Sequence, residues 1–196
     1  DHRDLHSFPT RRSSDLVGMM HSIKVMDIPY GRFRDKGTPI DNLGNYSSQK
    51  EQMIYVDALE NIKNNKLLFV CAAGMVILVD GSEFDVVKRT IAATKLSSEE
   101  DRLILAEVCQ EQEYVVLQTK NGVFLRFLTS EVPEKKKAAV GVRGIRMAED
   151  DAVEHAYLLA SRMDYTITYH DKEISLTAKI KLADRKSTRL NSSHSK

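Results

Sequence analysis

The sequence predicts an all-β fold, a propeller-like array of units of about four strands each, and three observations predict it. A strand, a glycine and a second strand recur at an offset of 48 residues, once around Gly74 and once around Gly122. Val, Ile, Leu and Phe fill the runs on both sides of each glycine, a composition suited to buried strands. Turn-forming clusters separate these runs, and the helical signal is scarce. A repeat of this length with four strands per unit marks an array in which each sheet covers its neighbour's apolar face.

The elements follow in chain order. Residues 22–29 (SIKVMDIP), with Lys36 and Gly37 and the apolar 53–56, read as the rear of a first unit spanning 17–60. A short helical turn is expected over 56–66. The unit 61–110 opens with 66–79 (KLLFVCAAGMVILV), two strands hinged at Gly74, because glycine reaches positive φ without steric cost. The unit 111–160 repeats this as 114–127 (YVVLQTKNGVFLRF) around Gly122. The same offset sets Ser82-Glu83-Phe84 over Ser130-Glu131-Val132. Further on, 93–96 (ATKL) lies over 144–147 (GIRM), and an acidic turn and another apolar strand follow each. Residues 165–170 (YTITYH) open a later unit within 161–183. Two full units with two partial ones do not close a ring, so exposed terminal edges are expected.

The two ends differ from everything between them. Residues 1–16 (DHRDLHSFPTRRSSDL) and 184–196 (DRKSTRLNSSHSK) are polar and lack an apolar period, and both resemble translated sequencing adapters. They are expected to be disordered and foreign to a natural portion of 17–183 cut from a longer protein. The ends carry seven of the 29 basic and four of the 28 acidic residues, which leaves 22 against 24 between them. Overall charge therefore makes no case for an anionic partner, and the placement of charge must make it.

Chemistry-bearing motifs are few. No GxxxxGK[ST] phosphate loop follows a strand. His21, His155 and His170 stand singly, and Cys71 and Cys109 sit in apolar runs without CxxC spacing, as buried free thiols of a reducing cytoplasm would. Glu83 and Glu131 recur once per unit, which suits a structural hydrogen bond rather than catalysis. The apolar run 67–79 is too short for a membrane-spanning helix, which needs about 20 residues.

Three segments carry a family resemblance: 141–146 (GVRGIR), 122–127 (GVFLRF) leading to Ser130-Glu131-Val132, and 23–29 (IKVMDIP). Together they resemble the C-terminal domain of the bacterial gyrase and topoisomerase IV A subunit, over essentially all of 17–183. The resemblance implies a β-pinwheel whose basic rim binds and wraps double-stranded DNA for ATP-dependent strand passage. It implies that the catalytic tyrosine lies upstream, so that no residue here is catalytic. No cofactor is expected in this segment, ATP and Mg acting elsewhere in a whole enzyme that also contains an ATPase B subunit, with the A subunit present twice. A cytoplasmic location and no membrane contact follow. The glycine-rich box that marks a gyrase has only a faint likeness in 31–37 (GRFRDKG), so gyrase and topoisomerase IV are not separated.

DNA held along its backbone needs Lys and Arg at phosphate spacing. The expected residues are Arg32, Arg34 and Lys36 in the first unit, Lys88, Arg89 and Lys95 in the next, then Lys135, Lys136, Lys137, Arg143 and Arg146. They fall in the same part of successive repeats, while acidic residues cluster at 99–101 and 149–151. The alternative is a propeller-type protein-interaction module without DNA binding, distinguished by weak salt dependence. A propeller-built hydrolase would need convergent acids or histidines, and none is visible.

Overall fold

Alternation of side chains across a strand lets a strand that is apolar at every position serve two cores at once, and this organises the molecule. The computed structural model describes residues 4–11, 17–161 and 163–183. Sheet 1 contains β1 (Asp4–Arg11), β2 (Val17–Lys24) and β3 (Glu51–Ala58). Sheet 2 contains β4 (Lys66–Cys71) and β5 (Met75–Asp80). The next strand, β6 (Thr90–Lys95), crosses back to sheet 1, and β7 (Leu103–Cys109) returns to sheet 2. Sheet 3 is formed by β8 (Tyr114–Thr119), β9 (Phe124–Leu128) and β11 (Val153–Leu159), while β10 (Val142–Arg143) crosses back to sheet 2. A hairpin of β12 (Thr166–Tyr169) and β13 (Lys172–Ser175) follows.

The orders are β3-β1-β2-β6 and β10-β5-β4-β7, then β11-β8-β9, with every strand pair antiparallel. Each sequence unit thus contributes three strands to its own sheet and lends one to the sheet before it. A unit counted along the chain and a sheet counted in space are offset by that strand, which the expected boundaries at 61, 111 and 161 do not show.

The two faces of β4 show how the sheets stack. Leu67 and Phe69 join Phe8, Met20, Ile77, Phe84 and Leu103 in the core between sheets 1 and 2. Leu68 and Val70 join Val115, Leu117, Phe127 and Val132 in the core between sheets 2 and 3. All four β4 side chains are buried, and each contributes about 1.5–3 kcal/mol on removal from water. A smaller cluster of Val116, Leu159 and Leu176 ties sheet 3 to the hairpin that follows.

Three expectations are corrected. Residues 4–11 are a strand rather than disordered chain, because His6 and Phe8 point to one side and are both buried. His6 Nε2 lies 2.9 Å from the carbonyl of Phe84, and the Phe8 ring meets Phe84 edge-on at 5.3 Å. The expected disorder of 1–3, 12–16 and 184–196 lies outside the described residues. The helical turn shrinks to α1 (Leu59–Lys63), because β3 runs on to Ala58 before Ile62 turns into the core. His21 is not isolated: its Nε2 meets the Glu51 carboxylate at 2.8 Å, both side chains 3% exposed, between β2 and β3. Cys71 is buried as expected, and Cys109 is half-buried.

Candidate nucleic-acid interface

Strand lending decides where the basic residues go. The lent strand β6 sets Lys95 opposite Val17, the first residue of β2, and the lent strand β10 sets Arg143 opposite Met75, the first residue of β5. Lys95 and Arg143 are both exposed, each the last residue of its lent strand. The alignment of 93–96 with 144–147 matches Lys95 to Arg146. The packing agrees with that match: a Cβ on Gly18 would meet the Thr94 side chain at 2.9 Å and one on Gly74 would meet the Ile145 side chain at 2.8 Å, the residues just before Lys95 and Arg146. Arg146 is exposed just beyond β10, after the buried Ile145.

The second group lies toward the opposite end of the same strands. The amide of Lys135 donates to the carbonyl of Leu78 at 2.9 Å, and the amide of Leu78 donates to Pro133 at 3.1 Å. The amide of Ala138 then donates to Ala93, and that of Lys95 donates to Ala139. The segment 133–139 is therefore laced across β5 and β6, and it holds Lys135 and Lys136 out to solvent. Lys88 and Arg89 lead into β6, where the carbonyl of Arg89 accepts from the amide of Ser22 at 2.8 Å. That bond stands near the root of the loop 25–50, which carries Arg32, Arg34 and Lys36, all exposed. The Arg34 guanidinium lies 5.4 Å over the Phe33 ring.

The three lysines of 135–137 are not alike. Lys137 is half-buried, its ammonium reaching the carbonyl of Glu83 at 3.2 Å and its amide reaching the Glu83 carboxylate at 3.3 Å. The Lys135 ammonium donates to the carbonyl of Val140 at 3.2 Å, a bond on the surface. Lys136 extends from a segment already pinned on both sides.

Two groups of charges have roles that sequence reasoning did not reach. Asp101 accepts from the amides of Ala73 and Arg102, and Asp151 accepts from those of Asn121 and Ala152. These acids tie the Gly74 and Gly122 hairpin loops to the strands that follow. Their recurrence beside each hairpin was the available signal. Lys66 pairs with Glu134 at 2.6 Å, and Arg126 donates to the carbonyl of Thr177 at 2.5 Å with its guanidinium 4.7 Å over Tyr114. These two cations hold the array together.

A stack of sheets joined by lent strands, carrying basic residues on its connections, is the class that this geometry defines: a propeller-type repeat domain. The family model of the DNA gyrase C-terminal domain, a β-propeller, matches 65–110 and 113–160, one sequence unit each. The chain is similar to this family over both of its complete units. It is 29% identical over 147 residues to the DNA gyrase A subunit of Lawsonia intracellularis, covering 75% of this chain and 18% of that protein. It is 26% identical over 142 residues to the DNA topoisomerase 4 A subunit of Streptococcus pyogenes, covering 70% of this chain and 17% of that protein. The chain thus spans less than a fifth of the length of these relatives. In fold it is similar to a solved C-terminal domain of DNA topoisomerase IV, with a TM-score of 0.76, 23% identity, and coverage of 89% of this chain and 54% of that one. The E. coli ParC C-terminal domain matches with a TM-score of 0.71 at 16% identity, over 93% of this chain and 74% of that one. At these identities the structural likeness speaks for the fold alone.

Proposed function

We propose that this chain is a DNA-binding and DNA-wrapping module of a type II topoisomerase A subunit, of gyrase or topoisomerase IV kind. The observation that carries this reading is that the strands lent to consecutive sheets each end on an exposed basic residue, Lys95 on β6 and Arg143 on β10. A basic residue repeated at the edge of stacked, mutually rotated sheets meets a duplex at intervals along its backbone, which bends the duplex without reading its bases. The exposed Arg32, Lys88, Arg89, Lys135, Lys136 and Arg146 add to that rim. In a whole enzyme the bent segment would be delivered for strand passage, with ATP hydrolysed on a partner B subunit, while a tyrosine outside this chain carries the chemistry. Such an enzyme works on chromosomal DNA in the cytoplasm. Among the described residues no helix is long and apolar enough to cross a membrane.

Duplex binding measured by fluorescence anisotropy between about 50 and 200 mM salt tests the reading, because neutralised phosphates release counterions and affinity falls steeply as salt rises. The expected result is a steep fall, with the slope reduced when Lys95 and Arg143 are both replaced by Gln. Absence of binding at the lowest salt, or a slope that the double variant leaves unchanged, overturns it. Wrapping is read separately, as a linking-number change trapped when nicked plasmid is ligated in the presence of the protein.

A further inference from the structure

Two aromatic rings stand in solvent on the loop 25–39: Tyr30 is 99% exposed and Phe33 90%. Rings left outside a folded chain mark a surface that something else covers. Cations interleave with them. The run 30–37 (YGRFRDKG) sets Arg32, Arg34 and Lys36 against the single acid Asp35, and all three cations are exposed. Among the described residues none of the three sits in an ion pair. Asp35 is turned onto the loop itself, where its carboxylate accepts the amide of Arg32 at 2.7 Å.

The turn that carries the rings is fixed by its own bonds. The amide of Asp35 donates to the carbonyl of Arg32 at 3.0 Å, reciprocating the bond to its carboxylate, and Arg34 is left-handed at φ 76°. The Arg34 guanidinium lies 5.4 Å over one face of Phe33, which leaves the other face open. The repeat itself does not ask for rings here. The 3₁₀ turn Val25–Asp27 recurs 104 residues later as Thr129–Glu131, which sets Tyr30 on Glu134 and Phe33 on Lys137. Glu134 pairs with Lys66 at 2.6 Å and keeps its side chain 42% exposed, while Lys137 bonds to Glu83. The later connection is thus built with charged side chains at both places, and the place of Tyr30 faces solvent there as well.

We propose that 30–36 is a binding site for unpaired nucleic-acid bases, in which Tyr30 and the open face of Phe33 stack on bases while Arg32, Arg34 and Lys36 hold the phosphates. Every base offers a flat π face, so rings set among cations hold a single strand without reading its sequence. In a paired duplex those faces are covered by neighbouring bases. That separates this site from a rim that follows the duplex backbone. A fixed turn also spares the ordering cost that a mobile loop meets on binding. The inference stands apart from the duplex-wrapping reading, since a chain that ignores duplex can still hold a single strand.

The whole chain has no tryptophan, so Tyr30→Trp puts a single indole at the site. Single-stranded oligo(dT) of about 12 nucleotides should quench its fluorescence as a base stacks on it. Anisotropy of the labelled strand then measures affinity at low salt. Replacing both Tyr30 and Phe33 by Ala should weaken oligo(dT) binding at least about tenfold and leave the affinity for a hairpin duplex unchanged. Both side chains lie on the surface, so the core is untouched. An abasic oligonucleotide with the same phosphates should bind the unaltered chain as weakly as oligo(dT) binds the double variant. Replacing Lys95 and Arg143 by Gln should leave the single-strand affinity intact, so a failure of the rim and a failure of this site are told apart. No binding of oligo(dT) at low salt, an indole that stays unquenched, an abasic strand bound as tightly as oligo(dT), or an equal loss on strand and duplex in the double Ala variant overturns the proposal.

Discussion

The carboxylate of Asp101 accepts the amide of Ala73, 28 residues earlier, at 2.9 Å. It also takes the amide of Ser97 at 3.1 Å and its hydroxyl at 2.8 Å, so one buried acid closes both the Gly74 hairpin and the turn before β7. Burial pushes its pKa up, but hydrogen bonds from Cys71, Ala73 and Ser97 outweigh that and hold it below the ordinary value. A depressed folded value means that the stabilisation is complete above the unfolded carboxyl's pKa of about 4 and is lost as pH falls through the folded value. Asp101→Asn should therefore destabilise the chain at neutral pH, by about 2 kcal/mol, and flatten its acid limb. Urea midpoints taken from pH 7 down to pH 3 will show both effects, and parallel curves for the two proteins would refute the assignment.

The same neighbour silences a thiol. Burial first, and then the Asp101 charge, push Cys71 up to about 12, and burial also raises Cys109. Since the thiolate is the reactive form, native protein at pH 8 should give almost no reaction at Cys71 with Ellman's reagent. In guanidinium both cysteines should react at once. Fast native labelling mapped to Cys71 by mass spectrometry would contradict the buried placement.

Gly81 marks where the turn after β5 packs directly against the end of α1 within one unit. A Cβ there would stand 1.7 Å from the carbonyl oxygen of Ile62 and 2.5 Å from that of Asn65, both backbone atoms that cannot step aside. Gly81→Ala should cost about 3 kcal/mol or more through forced backbone movement. Its equivalent 48 residues later is Thr129, whose amide donates to Glu113 as that of Gly81 donates to Asn65. The constraint therefore belongs to packing against α1 and not to the turn. Thermal melts should show a large loss for Gly81→Ala and a modest one for Thr129→Ala.

Lys136 and Lys137 are adjacent in sequence and should behave as opposites. Lys136 is exposed, whereas Lys137 is half-buried and bonds through its ammonium to the Glu83 carbonyl at 3.2 Å. Lys136→Gln should leave the melting temperature unchanged and lower the duplex salt slope by about one, the signature of one lost phosphate contact. Lys137→Gln should lower the melting temperature with a smaller effect on the slope. Equal slopes and equal melts for the two variants would show that the structure does not distinguish them.

The sequence by itself determined the repeat, the hairpin glycines and the all-β class. These depend on neighbours along the chain: Gly74 and Gly122 adopt φ of 79° and 82° because a two-strand hinge demands it locally. It also showed which connections carry the cations. What only tertiary structure decided was which sheet each strand joins. β6 and β10 leave their own units because their pairing edges are completed by β2 and β5, and no local propensity reports an edge 66 or more residues away. Tertiary packing likewise turned Lys137 from a rim cation into a tie and made a strand of 4–11 through the burial of His6 and Phe8. Charge type is written in the residues; charge position is set by sheet register, which is a property of two strands at once.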